Sequence, residues 1–507
     1  MVQIKKNDLY NICYILFWII LSFLIVYFFE RSVSPRYEQC SADSSVFEIM
    51  AYSWLDGNVP YKDLFDHKGP YLYLVNAIGL LISVKWGLYL LSGINLSLVT
   101  NILWLIGKFW LRAYQSAICV LIFLGGYICV NCGGNTTEAW SLPFCVLPLY
   151  LFCRGIQTSS VKWWYNLVYG LCFGIIAFIR INNGIIPASI ILVLFITAIY
   201  EKGIKTAFIH VGVQLVGFLL ATIPIIMYFW TNGAFYEMIY ANYIFNFEYM
   251  IKWTSTLEAD KVIPTADRIL TNLEWLFPII VLFIWCIWLL FQKTYQKIFL
   301  LMLMISSGVL IITNLNASSY LHYYITFQPL ILILSVMLLS EWNKYGFKNQ
   351  MITKFAMLSS LLWLILILFE PLARYCLYLG KDVFKYGVIH SEQTKDTEVN
   401  QIAEMIIRNI PQGQRDNIYN LGSFEGVSAS LKLRLIPAGK YFFLQHRISK
   451  VSSKVADEMR WYHQNVTPAY IITNKENIDF NGISVHTMLD KYQLVDSTNS
   501  HYLFKLK

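Results

Sequence analysis

Three groups of polar residues have the types and spacing to move protons or hold phosphate. The first is Ala42-Asp43-Ser44, followed by Asp56-Gly57-Asn58-Val59-Pro60-Tyr61-Lys62-Asp63 and Asp66-His67-Lys68-Gly69-Pro70. A transfer onto a hydroxyl needs a carboxylate to take the proton, and Asp43, about fourteen residues past an apolar run, is such a group. A leaving phosphate needs a cation where its charge grows, and Lys68 is of that type. The same residues also suit a solvated acidic loop with a turn at Asp56-Gly57.

The second group is Asn131 to Glu138 together with Arg180. Glu138 is the one carboxylate between Asp66 and Glu201, and an acid at the edge of apolar sequence is a candidate functional group. It would equally serve as a helix-start residue facing water, favoured by the dipole. Arg180, in Phe178-Ile179-Arg180-Ile181-Asn182-Asn183-Gly184, carries a guanidinium that forks onto phosphate oxygens. It would equally snorkel to lipid headgroups. The third group is His322-Tyr323-Tyr324, where the tyrosines suit an interfacial belt and the histidine is the less trivial member. Tyr240-Ala241-Asn242-Tyr243 is a further candidate for lipid or substrate contact.

The elements that must position these groups are membrane spans. Of 507 residues, 57% are hydrophobic and 14% charged, more apolar surface than a soluble fold of this length can bury. A crossing takes about 20 apolar residues. Runs of that class lie near 11–29, 87–111, 114–131, 139–153, 164–180, 184–200, 206–230, 272–291, 297–313, 322–341 and 352–371. The first follows Met1–Lys6 with no small-residue cleavage site after Phe29, so it reads as a retained span.

Residues 71–84 are apolar but short, and charge decides their placement. Left uncrossed, they put Lys5/Lys6, Lys108/Arg112, Arg154/Lys162, Lys202/Lys205, Lys293/Lys297 and Lys344/Lys348/Lys354 all on one side. That is the positive-inside pattern, and it accounts for the net charge of +8 better than nucleic-acid binding does. The expectation is about eleven transmembrane helices in residues 1–371, with the N-terminus cytoplasmic. Three extracytoplasmic pieces follow: a loop at 30–86, a second at 231–271, and a tail at 372–507. The tail alternates strand-like runs (Asn417–Leu421, Tyr441–Leu444, Ala469–Thr473, His501–Leu506) with helical patterns at Glu398–Arg408 and Val451–His463, which predicts a small α/β domain.

The ten cysteines lie mostly inside apolar runs, and no second His or carboxylate sits at metal spacing, so no metal or cofactor is expected. Most, such as Cys119, Cys129, Cys145, Cys172 and Cys286, read as buried thiols, while Cys40 and Cys376 lie where they could pair.

The stretch DSSVFEIMAYSWLDGNVPYKDLFDHKGPYLYLVNAIG resembles the first outer loop of bacterial glycosyltransferases with the GT-C fold. These are polyprenyl-phosphate-sugar enzymes related to protein O-mannosyltransferases and lipid A aminoarabinose transferases. The resemblance implies an acidic catalytic residue at Asp43, proposed as the base, and a donor-phosphate site at Lys68-Gly69-Pro70. It implies a second acidic residue at Glu138 that positions the acceptor, and a donor groove at His322-Tyr323. The expected site is therefore Asp43 and Glu138 for catalysis, Lys68 and Arg180 for the donor phosphate, and Asp66, His67, His322 and Tyr323 for substrate. The implied partners are a polyprenyl-phosphate sugar, membrane lipids, and a glycan, lipid or protein acceptor, without nucleic acid. A lipid flippase or transporter is the alternative. It would place ionisable residues deep within spans and often show repeats, whereas almost none lies at mid-span and no repeat is seen.

Overall fold

The computed structural model describes residues 6–37, 42–160, 162–260, 265–292, 295–315, 320–345, 351–363, 369–391, 397–475 and 490–507. The chain forms two compact units. One gathers Met1–Glu30, Tyr89–Pro224 and Ile263–Phe384; the other gathers Arg31–Leu88, Ile225–Val262 and Lys385–Lys507.

The first unit is helical. Among the described residues, nine helical stretches of the chain are long and apolar enough to cross a membrane. One of them, Trp163–Lys202, is 40 residues long, about 60 Å as a straight helix against a hydrocarbon core of about 30 Å. It breaks where the sequence has Asn182-Asn183-Gly184. Helices Trp163–Arg180 and Ile185–Lys202 are joined there by a single 3-10 turn. The expected eleventh span, 352–371, includes residues 364–368, which lie outside the described set; its described part is a helix at Met351–Trp363. The chain is a multi-pass membrane protein.

Packing in this unit rests on small residues and on polar pairs between helices. A Cβ at Gly170 would lie 1.7 Å from the Gln214 carbonyl oxygen, and one at Gly217 would lie 2.0 Å from that of Leu167. Only glycine permits so close an approach. Beside it, the Gln214 amide donates to Asn166 Oδ1 at 2.9 Å. The first span is tied in by the hydroxyls of Ser22 and Thr100, 3.2 Å apart.

The second unit is built from the loops and the tail. Helix Ala42–Leu55 packs against helix Pro70–Ile82 and against helix Phe424–Lys432 of the tail. Helix Pro70–Ile82 has 13 residues, about 20 Å, too short to cross, as expected for the 71–84 run. The tail folds around a four-stranded sheet: β1 (Ile418–Leu421), β2 (Tyr470–Asn474), β3 (Tyr492–Ser497) and β4 (His501–Leu506), in the order β1-β2-β4-β3. The β1–β2 pair is parallel and the others antiparallel. Helix Glu398–Asn409 lays Ile402, Met405 and Ile406 on Ile418, Ile472 and Leu503 to make the core.

Two expectations for the loops and tail need correction. Tyr441–Leu444 is not a strand: Leu444 adopts a left-handed conformation (φ 45°), which ends any extended run, and helix Gln445–Val451 starts there. The helix expected at Val451–His463 is Ser453–Asn465, and strand β3 had no counterpart among the expected elements. Tyr240, expected at lipid or substrate, is buried and lies 2.5 Å by its hydroxyl from that of Ser452 in the tail. Cys40 lies outside the described residues, and Cys376 is a free, exposed thiol.

Candidate functional site

In the helical unit, Glu138 and Arg180 meet at one end of the bundle. Helix Thr137–Thr158 starts behind Thr136, whose hydroxyl accepts from the Ala139 N–H at 3.2 Å. That start places Glu138 in the first turn, where it is buried at 1% exposure rather than facing water. The neighbouring helix ends at Arg180, whose Nη1 donates to Glu138 Oε1 at 2.5 Å. The other carboxylate oxygen accepts from the Thr137 hydroxyl at 2.9 Å. One turn further along, Asn183 donates to Ser141 Oγ at 3.0 Å and its carbonyl accepts from Cys145, so the helix break is pinned to the same helix start.

Arg180 therefore has a counter-ion inside the protein. Its guanidinium lies over the Tyr323 ring at 4.4 Å, and its side chain remains 25% exposed. His322 meets Tyr323 edge-on at 4.7 Å. Four of the expected residues, Glu138, Arg180, His322 and Tyr323, thus belong to one constellation. Both oxygens of Glu138 have protein partners, so its first task is to hold Arg180.

Glu30 joins this end of the bundle and was not among the expected site residues. It is buried at the end of the first span and accepts from the hydroxyls of Ser92 at 2.5 Å and Tyr127 at 2.6 Å. Gly134 (φ 89°) passes so close that a Cβ there would lie 2.8 Å from the Glu30 carboxylate. The signal available in sequence was an acid directly abutting an apolar run.

In the loop-and-tail unit, Asp66, His67 and Lys68 form a second constellation. Tyr73 donates to Asp66 Oδ2 at 2.7 Å, and His67 Nδ1 stands 3.2 Å from Asp66 Oδ1. The Lys68 ammonium donates to His67 Nε2 at 2.8 Å. The backbone is fixed by Tyr61, donating to the Lys68 carbonyl, and by Asn246, donating to that of His67. The ring of Tyr249 stacks on His67 at 5.6 Å. Burial by itself would raise the Asp66 carboxyl. The hydrogen bond from His67, the Lys68 ammonium and the Tyr73 hydroxyl outweigh it and hold the group below its ordinary value.

Asp43 belongs to the loop-and-tail unit. It lies in the first turn of helix Ala42–Leu55 with its side chain exposed. A carboxylate there is favoured by the helix dipole and open to an incoming hydroxyl.

The family model described as dolichyl-phosphate-mannose-protein mannosyltransferase matches residues 67–228. No curated protein matches the sequence. Among solved structures, ArnT from Cupriavidus metallidurans bound to undecaprenyl phosphate is similar at a TM-score of 0.57 and 13% identity, covering 97% of this chain and 97% of that one. Its apo state gives 0.58 at 13% identity, covering 97% and 98%. The oligosaccharyltransferase AglB from Archaeoglobus fulgidus, in complex with an inhibitory peptide and a dolichol-phosphate, gives 0.50 at 12% identity, covering 96% and 73%. The chain has the GT-C fold.

Proposed function

We propose that this protein is a membrane glycosyltransferase that moves a sugar from a polyprenyl-phosphate donor to an extracytoplasmic glycan, lipid or protein. The observation that carries this reading is Arg180. Glu138 and Tyr323 fix its guanidinium at the end of the bundle, and a quarter of the side chain stays open. That is a phosphate fork set before its ligand arrives. Support for the ligand class comes from two proteins of the same fold, one bound to undecaprenyl phosphate and one to a dolichol-phosphate.

The reaction is a direct displacement. The acceptor oxygen forms a bond to the anomeric carbon as the bond from that carbon to the phosphate oxygen breaks. The acceptor proton passes to the Asp43 carboxylate. Lys68 and Arg180 supply positive charge to the departing polyprenyl phosphate. Glu138 acts through Arg180 as a positioning residue, and Asp66 and His67 act likewise through Lys68. The positive-inside pattern supports an N-terminus in the cytoplasm and a tail outside.

The test is reconstitution of the purified protein in liposomes with a panel of radiolabelled undecaprenyl-phosphate sugars and cell-envelope fractions. Label should appear in an acceptor as free undecaprenyl phosphate accumulates. Movement of intact lipid between leaflets with no sugar transfer would replace this reading with the flippase.

A further inference from the structure

The tail holds a polar cavity that none of these roles uses. Its volume is about 350 Å³, and its lining includes Glu398, Glu425, Asn474, Lys475, Asn499 and His501. Asn474 ends β2, and Glu425 follows β1 by four residues, so the cavity lies at the carboxyl ends of the parallel pair. Open α/β sheets bind ligands at that place.

The lining is held in position by its own hydrogen bonds. His501 is buried, with Nε2 at 2.6 Å from Ser423 Oγ and Nδ1 at 3.1 Å from Glu398 Oε1. Glu398 also accepts from the Thr498 hydroxyl, and Lys475 donates to the Thr498 carbonyl at 2.7 Å. Ser423, His501 and Glu398 share the order of a hydrolytic triad. Ser423, however, is buried at 1% exposure, does not line the cavity, and its hydroxyl caps the Gly426 N–H at 2.9 Å. The capped helix start also makes a poor phosphate site. Among the described residues, no group of three His, Cys, Asp or Glu could hold a metal ion.

A lining that mixes two carboxylates, two amides and an ammonium suits a ligand whose every polar group both donates and accepts. Sugar hydroxyls do so. We propose that this cavity binds a sugar residue of a glycan acceptor, which rests on the glycosyltransferase reading for the word acceptor and not for the binding itself.

Saturation-transfer NMR on the full-length protein in detergent tests it, with methyl glycosides of glucose, galactose, mannose and N-acetylglucosamine as probes. Wild type is compared with Glu425→Gln, an isosteric change at a half-exposed side chain, and with Lys475→Ala. Unchanged melting temperatures certify the fold of both variants. At least one glycoside should bind the wild type, and both variants should weaken it about tenfold while undecaprenyl-phosphate affinity stays the same. Glycoside binding of this kind in a protein that transfers no sugar would keep the cavity assignment and remove the glycosyltransferase reading. Transfer with no glycoside bound, binding that both variants leave intact, or binding of calcium in place of any glycoside would overturn the cavity assignment.

Discussion

The two units keep buried carboxylates in different company. In the helical unit Glu138 meets its cation directly, with Arg180 at 2.5 Å. In the loop-and-tail unit Asp66 reaches Lys68 through an imidazole, which stands 3.2 Å from the carboxylate and 2.8 Å from the ammonium. Loss of Arg180 from the direct pair strands the buried Glu138 charge. The relayed arrangement does not, because His67 stays between the two charges whichever is removed. Arg180 is therefore locked, whereas Lys68 is steered. Asp43 differs from both acids: it is exposed, and a carboxylate must be open if it is to receive a proton from an incoming hydroxyl.

The largest effect should come from the open acid. Asp43→Asn keeps size and removes the basic oxygen, so transfer should fall by about 10² or more with donor binding retained. Initial rates with saturating donor decide it. A near wild-type rate would move the base to another carboxylate and end the contrast between open and engaged acids.

Next comes the direct pair. Arg180→Ala leaves Glu138 buried without its cation and should cost about 3 kcal/mol, the low end for a broken buried pair because Arg180 is a quarter exposed. Glu138→Ala should cost less, since the guanidinium can turn to water. The double variant should cost less than the two losses added together. Denaturant unfolding of all three in one detergent measures the cycle, and strict additivity would show that the pair contributes no coupling.

How much of this was written in the sequence differs between the units. Apolar runs announced the spans, because a bilayer admits few other arrangements. Glu138 and Arg180 were each recognisable as costly residues. Their pairing was not, since 42 residues separate them and the packing of helix Thr137–Thr158 against helix Trp163–Arg180 brings them together. Glu30 was hidden by its position, the first residue of a loop that reads as solvated. In the tail, β3 escaped notice because it is an edge strand. Its residues after Tyr492 face outward, so no apolar alternation marks it. Tyr441–Leu444 misled for the opposite reason, being buried aromatic sequence in an irregular path.

A smaller effect should come from the steered cation. Lys68→Ala should weaken undecaprenyl-phosphate-sugar binding about tenfold and slow single-turnover transfer, because one charge–phosphate interaction is lost. Lys68→Arg should keep part of both, and not all, since the guanidinium cannot repeat the ammonium's bond to His67 in the same geometry. Glu138→Gln measured beside them separates the two cations. Equal donor affinity in all three variants would take Lys68 out of the phosphate site.

The smallest effect concerns pH and the relayed acid alone. Asp66 is held below its ordinary value in the folded protein, so in acid the unfolded chain takes up the proton first. Stability from this group is complete above the unfolded carboxyl value of about 3.9 and is lost as pH falls below it towards the folded value. Asp66→Asn should therefore lower the melting temperature modestly at pH 7, because the His67 and Tyr73 hydrogen bonds lose a charged acceptor. It should also remove part of the acid slope below about pH 4. Glu138→Gln serves as the comparison, since its change should fall on the helical unit. Melting followed by tryptophan fluorescence in matched detergent reads both. An Asp66→Asn variant with the full wild-type slope would mean that Asp66 is no more acidic in the fold than out of it. The relay would then be a set of contacts that leaves the charge on Lys68 untouched.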